Sequence, residues 1–275
     1  MNYSSLMVNL ELGHLNTDLL KITGDLAESM HASVIGIAAC NPKQLPFDGG
    51  YIAAEYFEQD RQQIEMDRKE TETEFRNALQ SRIGALEWRS SVLPGSIADY
   101  LANEARSADL LISALPSGTL FDTSRRVDIS DLIMQTGRPV LLVPSAITAF
   151  TPNRVLIAWK DTRESRHAIS VALSLLKQAT QISIVEIATQ EEEANAHKRL
   201  ADVVSWLKRH GVIAEPIVSP SSNEDASRLT SLAQEQDIDL IVAGAYGHSR
   251  LREWALGGMT RDILLRAQCC TLVAH

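Results

Sequence analysis

Cysteine is scarce in this 275-residue chain. Cys40, Cys269 and Cys270 are all it has, and two of them are adjacent. Three cysteines cannot build a disulfide framework, and that count fits a reducing compartment. Long apolar runs are also missing. Stretches such as Val140–Val143 and Leu110–Ile112 fall far short of the roughly 20 residues a membrane-spanning helix needs. The start, Met1-Asn2-Tyr3-Ser4-Ser5, has no basic region followed by an apolar one, so no signal peptide is read there. A soluble, cytoplasmic protein is expected.

Positive charge is in short supply. Lys and Arg total 26 against 35 Asp and Glu, a formal net charge of −9. Split at residue 148, the balance is 12 against 20 before it and 14 against 15 after it. Duplex DNA calls for a basic face and an anionic membrane for a polybasic patch; neither is present, so nucleic acid and membrane are excluded as partners. Low-complexity tracts are absent and 45% of residues are hydrophobic, which excludes disorder and leaves apolar material for one large domain or two ordinary ones. The common catalytic signatures are missing too: no G-x4-G-K-[ST], G-x-G-x-x-G, H-E-x-x-H or G-x-S-x-G occurs. No catalytic residue is assigned. Slow hydrolysis of a bound nucleotide stays open only as a side activity, with no general base in evidence.

What the chain does contain is an internal repeat. Asp109-Leu-Leu-Ile-Ser-Ala114 resembles Asp239-Leu-Ile-Val-Ala-Gly244 at an offset of 130. Pro139–Val143 matches Cys270–Ala274 at 131, Ser33–Ile37 matches Gln181–Val185 at 148, and Met7–Leu10 is paired with Arg154–Ile157 at 147. The offset drops by about 17 between residues 37 and 109, and the Pro- and Gly-containing stretch Cys40–Tyr56 is the expected place for the extra length. Ten short apolar runs are read as strands: Leu6–Leu10, Val34–Ala38, Trp88–Val92, Leu110–Ser113, Val140–Val143, Val155–Trp159, Ile182–Ile187, Ile213–Val218, Leu240–Ala243 and Thr271–Ala274. Helical spacing separates them, as in Ile169, Leu173 and Leu176, in Leu200, Val203, Val204 and Leu207, and in the charged Glu58–Arg82. Strand–helix alternation predicts an α/β fold with parallel, doubly wound, Rossmann-like sheets. Two tandem domains are expected, 1–147 and 148–275, joined by a linker at Ser145–Pro152.

Gly244-Ala-Tyr-Gly247-His-Ser-Arg-Leu-Arg-Glu-Trp-Ala-Leu-Gly257-Gly258-Met259-Thr260 is the most informative stretch. It follows a predicted strand and leads into a predicted helix, Met259–Ala267. Ligands of open parallel sheets sit beyond the carboxyl ends of the strands. Gly244 and Gly247 let backbone approach a ligand closely. Gly257 and Gly258 open a helix whose free amides suit phosphate oxygens, and Thr260 adds a hydroxyl. Seen as turn formers only, these glycines would have no ligand role; their spacing favours the phosphate reading. His248, Arg250 and Arg252 are placed for phosphate contact or for a solvated face.

Gly244-x2-Gly247-x9-Gly257 resembles the nucleotide loop of the universal stress protein family, and the duplication resembles its tandem-domain branch. The resemblance implies two five-stranded parallel sheets of order 3-2-1-4-5. It also implies ATP or a related adenine nucleotide as cofactor, with or without Mg, and a role in stress response through ligand-dependent association with a protein partner. Two departures stand out. Gly258 occupies the place where the family usually has Ser or Thr, with Thr260 as a partial replacement. Lys160, followed by Asp161, occupies the place after the first strand where ATP-binding members usually carry Asp. By this resemblance Val185 is the adenine-side wall; Trp159 and Asp161 line the base and ribose side with it, Ala158 lies beside them, and either Lys160 meets a phosphate or Asp161 takes the ribose contact. Gly244, Gly247, His248, Gly257, Gly258, Met259 and Thr260 hold the phosphates. Trp159 is either a stacking platform or a core residue.

The matching stretch of the first half, Ala114–Arg126, contains Pro116 and the single Gly118, so that half is expected to have lost the phosphate loop. Its charge also disfavours a polyanion. Cys269 and Cys270 are read as small buried residues, and no metal site is expected. The duplication is expected to place the two halves as an internal pseudo-dimer; the resemblance implies pairing through Val140–Val143 and Thr271–Ala274, and homodimerisation of the whole chain is left open. A nucleotide-free interaction module is the competing reading.

Overall fold

A computed structural model describes residues 3–43, 54–115, 125–222, 225–245 and 268–275. The strands are β1 (Ser5–Asn9), β2 (Ser33–Cys40), β3 (Leu86–Val92), β4 (Leu110–Ala114), β5 (Val140–Val143), β6 (Arg154–Trp159), β7 (Gln181–Ala188), β8 (Glu215–Pro220), β9 (Leu240–Gly244) and β10 (Cys270–Ala274). The described helices are α1 (Thr17–Met30), α2 (Ala54–Leu79), α3 (Ile97–Glu104), α4 (Ile129–Thr136), α5 (Arg163–Leu176), α6 (Glu193–Arg209) and α7 (Asp225–Glu235). Every apolar run read as a strand overlaps one. Ile213 is the exception inside its run: it precedes β8 and is 85% exposed.

The strands form one sheet in the order β3-β2-β1-β4-β5-β10-β9-β6-β7-β8. Each half therefore has the spatial order 3-2-1-4-5, and every pairing within a half is parallel. The halves meet where β10 lies antiparallel to β5, with Thr271 opposite Leu142, Leu272 opposite Leu141 and Val273 opposite Val140. All six side chains are buried, so the seam is continuous core. Tyr3 reinforces it by donating its hydroxyl to the Val171 carbonyl oxygen on α5 at 2.6 Å.

Strand alternation sends side chains to two apolar layers. One lies beneath α1, α2, α5 and α6 and runs across both halves, from Leu6, Val8 and Phe75 to Val155, Ile157, Ile169 and Leu200. The other lies beneath α3, α4 and α7 and includes Met7, Leu132, Leu156, Val185 and Leu232. The turn before each outer layer is fixed by side-chain caps. Ser96 accepts from the Asp99 amide, Asp128 from the Ser130 and Asp131 amides, and Thr162 from the Ser165 amide.

Equivalent hydrogen bonds set the register of the repeat. The Asp109 carboxylate accepts from the Ser4 and Ser5 amides, and Asp239 accepts from the Arg154 amide. Ser5 is thus the counterpart of Arg154, and the offset at the first strand is 149, not the 147 expected from apolar matching. A short apolar run slides by two residues without changing its faces; the aspartate contacts remove that freedom. The extra length of the first half is also shared out differently. Part of it lies in the helix, since α2 has 26 residues and α6 has 17.

Candidate functional site

The carboxyl ends of β6 and β9 are neighbours at the point where the strand order reverses in the second half. In sheets of this kind the ligand crevice opens there. β6 ends in Ala158 and Trp159, followed by Lys160, Asp161 and the helix cap Thr162. β9 ends in Ala243 and Gly244. The backbone beyond β9 is held by β10: the Ala245 amide donates to the Ala274 carbonyl oxygen at 2.9 Å, and a His275 ring nitrogen lies 3.0 Å from the Ala245 carbonyl oxygen. Gly247, His248, Gly257, Gly258, Met259 and Thr260 lie outside the described residues.

The described candidates divide between the two faces of the sheet. Val185 is buried in the α7 layer, with half-buried Ala158, Ile187 and Ile217 against the same cluster. Trp159 belongs to the α5–α6 layer. Ala158 and Val185 therefore share a face, and Trp159 does not share it with them. Ile187, two residues beyond Val185 on the same strand, was not singled out in the sequence. Its signal was available, because period-2 alternation puts it on the Val185 face nearer the carboxyl edge.

Lys160 is exposed and its ammonium has no ion-pair partner among the described residues. Asp161 does have one, Arg166, at 2.6 Å. Gly244 is tightly constrained: a Cβ there would lie 2.5 Å from the Ser165 backbone nitrogen and 2.6 Å from the Glu164 carbonyl carbon. Close packing of β9 on the first turn of α5 accounts for this glycine. Glu164, in that first turn, is 2% exposed. Burial opposes its charge, but hydrogen bonds from Arg163, its own amide and Thr162 outweigh that and hold its pKa below the usual carboxylate value. The positive end of α5 thus already faces an acidic side chain of its own chain.

The first half carries different residues at the equivalent place. Asn9 and Ser113 stand where the second half has Ala158 and Ala243, and the Asn9 amide donates to the Ser113 hydroxyl oxygen across the two strands at 3.1 Å. Glu11 stands in the place of Lys160. At the start of α1, Glu74 accepts from the Asn16 amide at 3.0 Å and from the Thr17 hydroxyl at 3.1 Å. At the start of α4 the Asp128 carboxylate takes the first-turn amides. The starts of α1 and α4 are therefore both met by carboxylates.

The universal stress protein family model matches residues 152–275. A universal stress protein of Synechocystis is 25% identical over 134 residues, covering 48% of this chain and 45% of that protein. The second half belongs to the universal stress protein family. The match to the Synechocystis relative spans less than half of that relative's length. A crystal structure of a universal stress protein from Archaeoglobus fulgidus superposes with a TM-score of 0.73 at 12% identity, covering 98% of this chain and 97% of that one. A Pseudomonas aeruginosa protein of unknown function gives 0.62 at 14% identity, covering 99% and 92%. The universal stress protein architecture thus extends, as fold, over both halves. Among the described residues no three His, Cys, Asp or Glu side chains converge to hold a metal ion.

Proposed function

We propose that residues 148–275 form a nucleotide-binding universal stress protein domain, and that residues 1–147 form a partner domain which binds no nucleotide. The ligand is ATP or a related adenine nucleotide, and its occupancy changes association with a protein partner. The observation that carries this reading is the asymmetry of the two switch points. At the second, small Ala158 and Ala243 stand beside Lys160, which has no ion-pair partner among the described residues; at the first, Asn9 and Ser113 are bonded to each other and Glu11 replaces the lysine. The base would lie against Ala158 and Ile187 over Val185, and Lys160 would attract phosphate. With the starts of α1, α4 and α5 already facing carboxylates, phosphate oxygens would turn to the amides around Gly257 and Gly258.

Calorimetric titration of MgATP into the full chain tests this. Gly257→Val and Lys160→Glu should each weaken binding about tenfold or more without lowering the melting temperature. Equal affinity of wild type and Gly257→Val would place the phosphates elsewhere. One observation favours a second reading, a nucleotide-free interaction module: Gly244 is explained by its contact with α5 and needs no ligand. Absence of binding heat and of any thermal shift with MgATP would select that reading.

A further inference from the structure

The sheet ends in two edge strands, β3 and β8, and their outward backbone groups differ. Alternate residues of a strand turn their N–H and C=O to opposite sides. Just beyond β8, the Ser221 amide donates to the Ala188 carbonyl oxygen on β7 at 2.8 Å. Odd-numbered residues of β8 therefore bond inward, and Pro216, Val218 and Pro220 face outward. The two prolines have no N–H, so Val218 carries the single outward amide donor of β8. Proline at such positions blocks the addition of another strand.

β3 has no such block. The Ala85 carbonyl oxygen accepts from the Val34 amide at 3.1 Å, and the Leu93 amide donates to the Cys40 carbonyl oxygen at 2.9 Å. These two residues flank β3 and both bond inward to β2, so the inward set is odd-numbered. Leu86, Trp88, Ser90 and Val92 turn their backbone groups outward. No hydrogen bond among the described residues reaches those amides or carbonyls. Trp88 packs on Phe75 of α2, at a ring-centroid distance of 5.6 Å. Glu87 and Arg89 share the other face, where Arg89 pairs with Glu87 at 2.7 Å and with Glu104 of α3 at 2.8 Å.

We propose that β3 is the interface of a homodimer, in which it pairs antiparallel with β3 of a second copy about a two-fold axis at Trp88. In that register Trp88 lies opposite Trp88 and Leu86 opposite Ser90, each a pair that exchanges hydrogen bonds through the outward groups. Glu87 then lies opposite Arg89, and Arg89 opposite Glu87. These are the non-hydrogen-bonded pairs, with Cα atoms about 4.5 Å apart and side chains closest. Four charges of alternating sign result, two from each chain. Moving the axis to residue 89 would set Arg89 against Arg89, and moving it to residue 87 would set Glu87 against Glu87, both repulsive. A two-fold contact needs a surface complementary to itself, and this strand has that property about one residue. That self-complementarity selects a second copy of the chain over a strand of another protein. The pairing does not depend on the nucleotide reading.

Sedimentation velocity of the full chain without nucleotide, over a range of concentrations, tests this. Wild type should show a reversible monomer–dimer equilibrium. Ser90→Pro removes an outward amide, leaves the ladder to β2 intact, and should weaken dimerisation about tenfold or more. Ser90→Ala, which keeps the amide, should dimerise like wild type. Glu87→Arg makes all four charges positive and should also weaken the dimer about tenfold or more; salt at about 1 M should recover most of that loss and none of the Ser90→Pro loss. Unchanged circular dichroism of the variants would show that lost pairing is not lost fold. Wild type that stays monomeric up to about 1 mM would overturn the proposal and leave the edge to a strand of another protein. A dimer indifferent to Ser90→Pro and Glu87→Arg would overturn it too, by placing the interface elsewhere. Equal loss in Ser90→Ala and Ser90→Pro would assign the effect to the hydroxyl and overturn the backbone ladder.

Discussion

Gly244 and the Ser165 backbone nitrogen approach so closely that a Cβ on the glycine would sit 2.5 Å from that nitrogen. The obstacle is backbone, in the first turn of a helix, and no side-chain rotamer can relieve it. Gly244→Ala should therefore push α5 away from β9 and lower stability by about 1–3 kcal/mol, the usual cost of overpacking. Urea unfolding of wild type and variant measures this directly. An unchanged midpoint would mean that α5 yields freely and that the contact does not determine the glycine.

That contact also marks the limit of reading function from glycine spacing. In the sequence, Gly244 looked like the first member of a ligand loop. It also packs β9 against the first turn of α5, a contact that no spacing pattern can reveal. The strands and their two apolar faces were legible because buried parallel strands leave continuous apolar runs, whereas the strand order was implied by the family resemblance. The pairing of β5 with β10 was implied by the family resemblance, and its antiparallel sense is seen in the structure. The register of β1 against β6 was not legible, because it rests on single carboxylates, Asp109 and Asp239, bonded to distant amides. The separation of Trp159 from Val185 was available from strand alternation.

Alkaline pH should loosen the fold through β10. Burial pushes the Cys269 thiol up from an ordinary 9.0 to about 11 and the Cys270 thiol up to about 12. Burial raises the Tyr3 hydroxyl in the same direction. A folded-state pKa above the unfolded one favours the folded protein while the group is neutral in both states. The stabilisation is complete below pH 9 and falls as the unfolded chain ionises first. The urea midpoint should stay level to about pH 8.5 and decline steadily towards pH 11. Cys270→Ala should make the decline shallower. A level profile through pH 11 would show that the thiols are not held neutral by burial.

Glu74 ties α2 to the start of α1. Its carboxylate receives the Asn16 amide and the Thr17 hydroxyl, and it meets the positive end of the helix. Glu74→Ala should cost about 1–2 kcal/mol, seen as a lower melting temperature. Glu74→Gln should recover part of that loss, because an amide oxygen still accepts while the charge is gone. Equal melting of Ala and Gln variants would assign the effect to charge alone.

Thr271 supplies the opposite kind of test. It lies in the antiparallel seam opposite Leu142, it is 0% exposed, and its hydroxyl has no hydrogen-bond partner among the described residues. A buried hydroxyl left unpaired costs about 1–3 kcal/mol, whereas an apolar group of the same shape carries no such penalty. Valine matches threonine in shape and retains the β-branching that suits a strand. Thr271→Val should therefore raise the urea midpoint, against the general tendency of core substitutions to destabilise. A lowered midpoint would mean that the hydroxyl is paired in solution, by water or by a part of the chain outside the described residues. The seam would then hold a polar contact that the geometry around Leu142 does not contain.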